Sequence, residues 1–182
     1  MVHPLYHQTL LPGQQFPLIT LPVVGHSEPQ PLFSANEATR TKLIVIYRGS
    51  FCPYCQKQIN HLKQTLAKLN DADIDIVIAS ADLAPAAEKF AQDFEIPFPV
   101  AHSLELDQMK ELGVYVSSPT DYIDQEHVFS EPAWFLVEAD GRIKYLEYAS
   151  APFGGRVDVD VLGRIYTWAR EKGRNVIWGQ EV

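Results

Sequence analysis

The sequence predicts an α/β fold in which helices flank a mixed central sheet. Three observations predict it. Short apolar, β-branched runs alternate with stretches of helical period, the pattern of strands covered by helices. The run KLIVIYR (42–48) shows no polar alternation, as a strand buried on both faces should. The run AWFLVEADGRIKYLEY carries Asp140-Gly141 between two apolar segments, a hairpin signal that adds an antiparallel edge.

The elements follow in order. Residues 1–17 are punctuated by proline and are expected to wrap the surface in extended form. LITLPVV (18–24) is an expected first strand, returned by a turn at Gly25 toward PLF at 31–33. After KLIVIYR a helix opens at Pro53, whose missing N–H costs nothing at a first helical position. Ile59, Leu62, Leu66 and Leu69 give that helix one apolar stripe. IDIVIAS (74–80) is a buried strand, PAAEKFAQDF (85–94) a helix, and FPVAH (98–102) a short strand. SLELDQMKELG (103–113) is a helix with Ser103 as its cap and Gly113 as its stop. Residues 114–131 show no period and read as a long connection of the kind that shapes active sites. The hairpin follows, then a Gly/Pro loop, then a helix at about 158–172 with Asp158 as cap and Gly173 as terminator.

The chain has 182 residues, enough for a full hydrophobic core, and is expected to form a single domain over 1–182 with its core at about 18–172. Its 15 basic and 23 acidic residues leave a net charge of −8. That balance argues against nucleic-acid partners and anionic membranes. The apolar runs fall far short of a membrane span. MVHPLYHQTLLPGQQFP lacks the basic start and apolar core of a secretory signal, so a cytoplasmic location is expected.

Two cysteines, Cys52 and Cys55, lie in YRGSFCPYCQKQINHL and are the only ones in the chain. Four readings compete: a metal clip, a structural disulfide, two buried thiols, and a working redox pair. Zinc needs four ligands, and there is no second CxxC or spaced histidine set. A disulfide would close a tiny loop of little entropic value. Position favours the redox pair. A thiolate where a strand hands over to a helix faces unpaired N–H groups and the positive end of the helix dipole. Both should lower the Cys52 pKa below about 8.5. Cys55, one turn on, is placed to attack a mixed disulfide at Cys52. Arg48 adds positive charge if it points inward.

The strand–helix unit, the helix-opening CPYC and EPAWFLVEADGRI together resemble the thioredoxin fold. Over about residues 10–172 the layout is similar to the peroxiredoxin-like branch, the alkyl hydroperoxide reductase/thiol-specific antioxidant (redoxin) family, with an N-terminal extension. The resemblance implies a cis-proline at Pro132, beside the redox pair, with the backbone of Glu131 pairing to a bound substrate chain. It implies an antioxidant-type oxidoreductase in which Cys52 is the nucleophile and Cys55 the resolving cysteine. Peroxidases of the family carry Thr or Ser three residues before the reactive cysteine, Pro seven before it, and a distant Arg. Here Gly49, Val45 and Pro132 stand in those places. Thioredoxin's buried acid and its tryptophan before the first cysteine are replaced by Ile46 and Phe51. Thiol–disulfide exchange is therefore the first expectation and a thiol-dependent peroxidase the second. A non-catalytic binding domain is the third, disfavoured by the intact CPYC.

Further candidates for the substrate side are Arg48, Phe51, Pro53, Tyr54, Glu131 and Trp134. Phe51 and Trp134 would form a flat apolar surface around the sulfur, and Tyr54 would stand exposed between the cysteines. Glu131 and Asp121 are candidate proton carriers. Trp178 is a candidate contact with the domain or with a second subunit of a homodimer. No metal or other cofactor is expected. Partners would be a protein or low-molecular-weight disulfide, or a hydroperoxide, with thioredoxin or glutathione as electron donor.

Overall fold

The computed structural model describes residues 9–35, 39–120, 125–174 and 179. Asp121, Trp178 and residues 1–8 lie outside the described residues. The first strands are β1 (Thr20–Leu21), β2 (Gln30–Pro31) and β3 (Thr41–Ile46). Helix α1 (Pro53–Asp71), β4 (Ile74–Ala79), α2 (Ala84–Asp93), β5 (Val100–Ala101) and α3 (Leu106–Leu112) follow. The chain continues through β6 (Val116–Ser117), β7 (Phe129–Ser130), β8 (Ala133–Val137), β9 (Ile143–Tyr148) and α4 (Val159–Glu171).

The central sheet runs β5-β4-β3-β8-β9. β3, β4 and β5 are parallel, while β8 and β9 are antiparallel additions. The mixed sheet and its Asp140-Gly141 hairpin are as the sequence predicts. Leu43, Ile44, Val45 and Ile46 are wholly buried because β3 lies in the middle, with apolar clusters on both faces. Burying such a side chain contributes about 1.5–3 kcal/mol against conformational entropy. In α1 the stripe of Ile59, Leu62 and Leu69 faces the sheet, with Leu66 only partly covered. Cys55 sits four residues before Ile59 on the same stripe, so helical geometry itself buries it.

Three local expectations change. The first strand is the two-residue β1 rather than a seven-residue strand, although the expected return after Gly25 is there, β2 pairing antiparallel with β1 in a small separate sheet. Helix α3 starts later than expected. Ser103 has φ 60°, outside helical space, and Glu105 is the cap, its N–H donating to Gln108 Oε1 at 3.0 Å. The 114–131 connection contains strands at both ends, since β6 and β7 pair antiparallel. The Asp158 cap holds, accepting N–H groups from Asp160 and Val161. Among the described residues no helix is long and apolar enough to cross a membrane.

Candidate active site

Strand register assembles the site. Ile46 pairs with Ala133 across the antiparallel β3–β8 ladder. Continuing that register past the ends of both strands sets Tyr47 against Pro132 and Arg48 against Glu131. The contacts agree: Ser130 Oγ donates to the Tyr47 carbonyl, and Arg48 Nε lies 3.1 Å from Glu131 Oε2. Glu131 is held from its other side by Ser117 Oγ, which donates to Oε1 at 2.6 Å. The Arg48–Glu131 pair is thus enclosed at the end of the sheet nearest α1. Arg48 also lies over the Phe129 ring, 4.8 Å from its centroid, and Phe51 packs edge-on against Phe129.

Cys52 is the N-cap of α1 in extended conformation, and Pro53 begins the helix. Cys52 is 1% exposed and Cys55 fully buried. Both are free thiols. The Cys52 pKa is lowered to about 5. The largest cause is the Cys55 thiol, which donates to the Cys52 sulfur. Burial opposes it, while the Cys55 amide and the Arg48 guanidinium, with Nη1 4.0 Å from Sγ, assist it. The Cys55 thiol is pushed well up, by burial first and then by its hydrogen bond to Cys52. The pair therefore shares one negative charge, and that charge rests on Cys52.

Two residues without a predicted role support this pair, one by direct contact and one through the loop before Cys52. Arg156 places Nη2 3.5 Å and Nη1 3.6 Å from Cys55 Sγ. Its guanidinium is anchored by short contacts to Gln58 Oε1 and the Pro152 carbonyl. Asp82, at the end of β4, accepts the Ser50 N–H at 2.8 Å and so pins the loop that carries Cys52. Burial pushes the Asp82 carboxyl up, against the Ser50 N–H. The buried carboxylate that holds the loop before Cys52 thus comes from the segment after β4 and not from β3, where Ile46 stands. Signals for both residues were weak. Asp82 follows the carboxyl end of a parallel strand, where α/β sites gather. Arg156 is one basic residue in a Gly/Pro loop, and only the fold brings it to Cys55.

The predicted residues are distributed as follows. Arg48, Phe51, Pro53 and Glu131 gather around Cys52. Tyr54 is half exposed on the first turn of α1. Trp134 packs on the cluster that holds the cysteines, but its indole N–H donates to Glu147 Oε2 on β9. The bond before Pro132 is trans, so the expected cis-proline is absent. Trans is the lower-energy isomer, and nothing here requires the other. The Glu131 N–H is also taken, donating to the Tyr115 carbonyl at 2.7 Å. The β6–β7 ladder uses the N–H that a substrate strand would have needed. Glu131 meets the site through its carboxylate instead.

Gly49 has its own local reason. Its φ of 150° disfavours side chains, and an added Cβ would lie 2.6 Å from Phe51 Cε1 and 2.7 Å from Asp82 Oδ1. A side chain at this position would therefore be strained and would have to displace the Phe51 ring and the Asp82 carboxylate.

Comparison with known proteins agrees with this architecture. The family model described as Redoxin matches residues 11–161. A Coxiella burnetii protein named, provisionally, as the peroxiredoxin bcp is 24% identical over 144 residues, covering 72% of this chain and 92% of that protein. A cysteine-to-serine mutant of peroxiredoxin 6 of Arenicola marina superposes with TM-score 0.74 at 13% identity, covering 91% of this chain and 76% of that one. A peroxiredoxin-like protein from Aquifex aeolicus gives TM-score 0.71 at 16% identity, covering 89% of each chain. These structural likenesses establish a shared fold.

Proposed function

The chain belongs to the Redoxin family, and we propose that it is a thiol–disulfide oxidoreductase of the peroxiredoxin-like branch, working through Cys52 and Cys55. The observation that carries this reading is the charge held on Cys52. A thiolate with its pKa lowered to about 5 stays ionised at neutral pH, and a second thiol touches it. Cys52 attacks a substrate disulfide and expels one thiolate. Cys55 then attacks Cys52, expels the second, and leaves a Cys52–Cys55 disulfide. Two electrons pass from the pair to the substrate. Phe51, Pro53, Tyr54, Pro132 and Trp134 shape the approach, while Arg48 and Glu131 fix the charge beside the nucleophile. The near-complete cover over Cys52 supports a low-molecular-weight disulfide as substrate ahead of a folded protein. A thiol such as glutathione, or a thioredoxin, would return the electrons. A reducing, cytoplasmic setting suits that cycle.

Hydroperoxide reduction is the second reading, favoured by the peroxiredoxin names of the relatives. Cys52 would become a sulfenic acid, with the alcohol leaving, and Cys55 would condense with it to release water. The strained backbone and crowding at Gly49, where peroxidases of the family carry Thr or Ser, count against this reading.

Stopped-flow oxidation of the reduced protein separates the two. Tryptophan emission is followed on mixing with a small aromatic disulfide or with hydrogen peroxide. The disulfide is expected to react at least about tenfold faster than with a free thiol at pH 7, from thiolate fraction alone. Peroxide is expected to gain nothing beyond that same thiolate factor. The reverse pattern would replace the first reading with the second.

A further inference from the structure

The geometry points to Arg156 as the residue that makes Cys55 a thiolate at the moment it must attack, once Cys52 is capped by substrate. This inference rests on the proposed exchange reaction and deepens it. In the resting pair Cys55 is protonated, and its proton is bound up in the hydrogen bond to the Cys52 thiolate. Formation of a mixed disulfide at Cys52 removes that thiolate. Two of the influences that kept Cys55 protonated, the hydrogen bond and the charge on Cys52, vanish together. The Arg156 guanidinium remains as the positive charge beside Cys55, its two Nη groups lying within 3.6 Å of the sulfur.

Among the described residues the surroundings leave no other group for this task. The titratable or charged groups facing Cys55 are Cys52, from its own helix; Arg156, from the loop after β9; and Tyr47, from the end of β3. Burial and the Asp82 charge hold the Tyr47 phenol in its neutral form, so Tyr47 supplies no charge. Gln58, one turn after Cys55, accepts from Arg156 Nη1 and so aims the guanidinium. Close approach at Gly155 brings the loop in: a Cβ there would lie 2.9 Å from the Pro132 carbonyl.

The step balances. Cys55 loses its proton to solvent, and its thiolate attacks Cys52 Sγ. The Cys52–Cys55 bond forms as the bond from Cys52 to the substrate sulfur breaks. The substrate leaves as a thiolate and takes a proton from water. When a reductant later opens the disulfide by attack at Cys52, Cys55 leaves as a thiolate onto the same guanidinium.

The test isolates Cys55 in a Cys52→Ala background, which mimics the loss of the Cys52 charge. Ultraviolet thiolate absorbance is titrated in that protein, and again with Arg156→Met, Arg156→Gln or Arg156→Lys added. Each variant is checked for native circular dichroism. Loss of the guanidinium is expected to raise the Cys55 midpoint by at least about one unit, a tenfold drop in thiolate ratio at neutral pH. Lysine keeps the charge and should recover at least half of that shift, which a merely structural fork to Gln58 and Pro152 would not allow. Equal midpoints across the folded variants overturn the inference. The titration needs no turnover, so its failure is distinct from failure of the exchange reaction. Wild-type turnover with an unmoved Cys55 midpoint removes Arg156 alone. A shifted midpoint without turnover supports Arg156 and removes the exchange reading.

Discussion

Cys52→Ser is expected to lower disulfide exchange on the order of a thousandfold or more, as loss of a covalent nucleophile does elsewhere. Serine keeps the shape of the N-cap but is not ionised at neutral pH. Arg48 and the Cys55 amide would then have no charge to hold. The partner variant behaves differently. With Cys55→Ser the first attack at Cys52 proceeds, but nothing resolves its product. A mixed disulfide on Cys52 accumulates and is found there by peptide mapping. Unchanged exchange in Cys52→Ser, or an adduct on Cys55 in the wild type, would contradict the assigned roles.

The second large effect concerns stability. Glu131→Ala is expected to destabilise the fold by about 3 kcal/mol, measured by urea unfolding at neutral pH. The pair it breaks is enclosed: the Arg48 side chain is 12% exposed and that of Glu131 4%. The substitution leaves a guanidinium without its counter-charge and the Ser117 hydroxyl without its acceptor. Exposed pairs such as Lys89–Asp93 contribute far less, because water screens them. Cys52 should become no less acidic in Glu131→Ala, since the Arg48 charge then acts on the sulfur alone. A loss under about 1 kcal/mol would mean that water already reaches the pair.

Much of this was legible in the sequence, for physical reasons that differ by element. β3 and β4 declare themselves because strands covered on both faces must be continuously apolar. The β8–β9 hairpin is visible because few residue pairs other than Asp-Gly tolerate its turn. The place of Cys52 at the start of α1 is legible because the cap position of a helix is a local property. Cys52, Pro53 and Cys55 fix it without help from the rest of the chain.

What stayed hidden depends on contacts far apart in sequence. β6 and β7 are two residues each, too short to carry a period, and exist because the sheet end brings them together. Their pairing occupies the Glu131 N–H, which the family resemblance assigned to substrate. The trans bond before Pro132 is likewise a property of the surroundings, since proline permits either isomer. Arg156 is 101 residues from Cys55 in the chain, and no spacing rule links them. Arg48 shows the intermediate case. Its sequence position allowed contact with Cys52, and the register with Glu131 decides its direction.

The central claim is that Cys52 is already a thiolate at neutral pH. The measurement is the pH dependence of iodoacetamide alkylation of the reduced wild-type protein, with the modified site mapped to Cys52. A lowered thiol pKa means that charge persists as pH falls until the proton returns near the folded value. The rate should therefore be nearly level from neutral to alkaline pH and fall away through about 5. A rate that climbs with pH through about 8.5, as for an unperturbed thiol, would contradict the account.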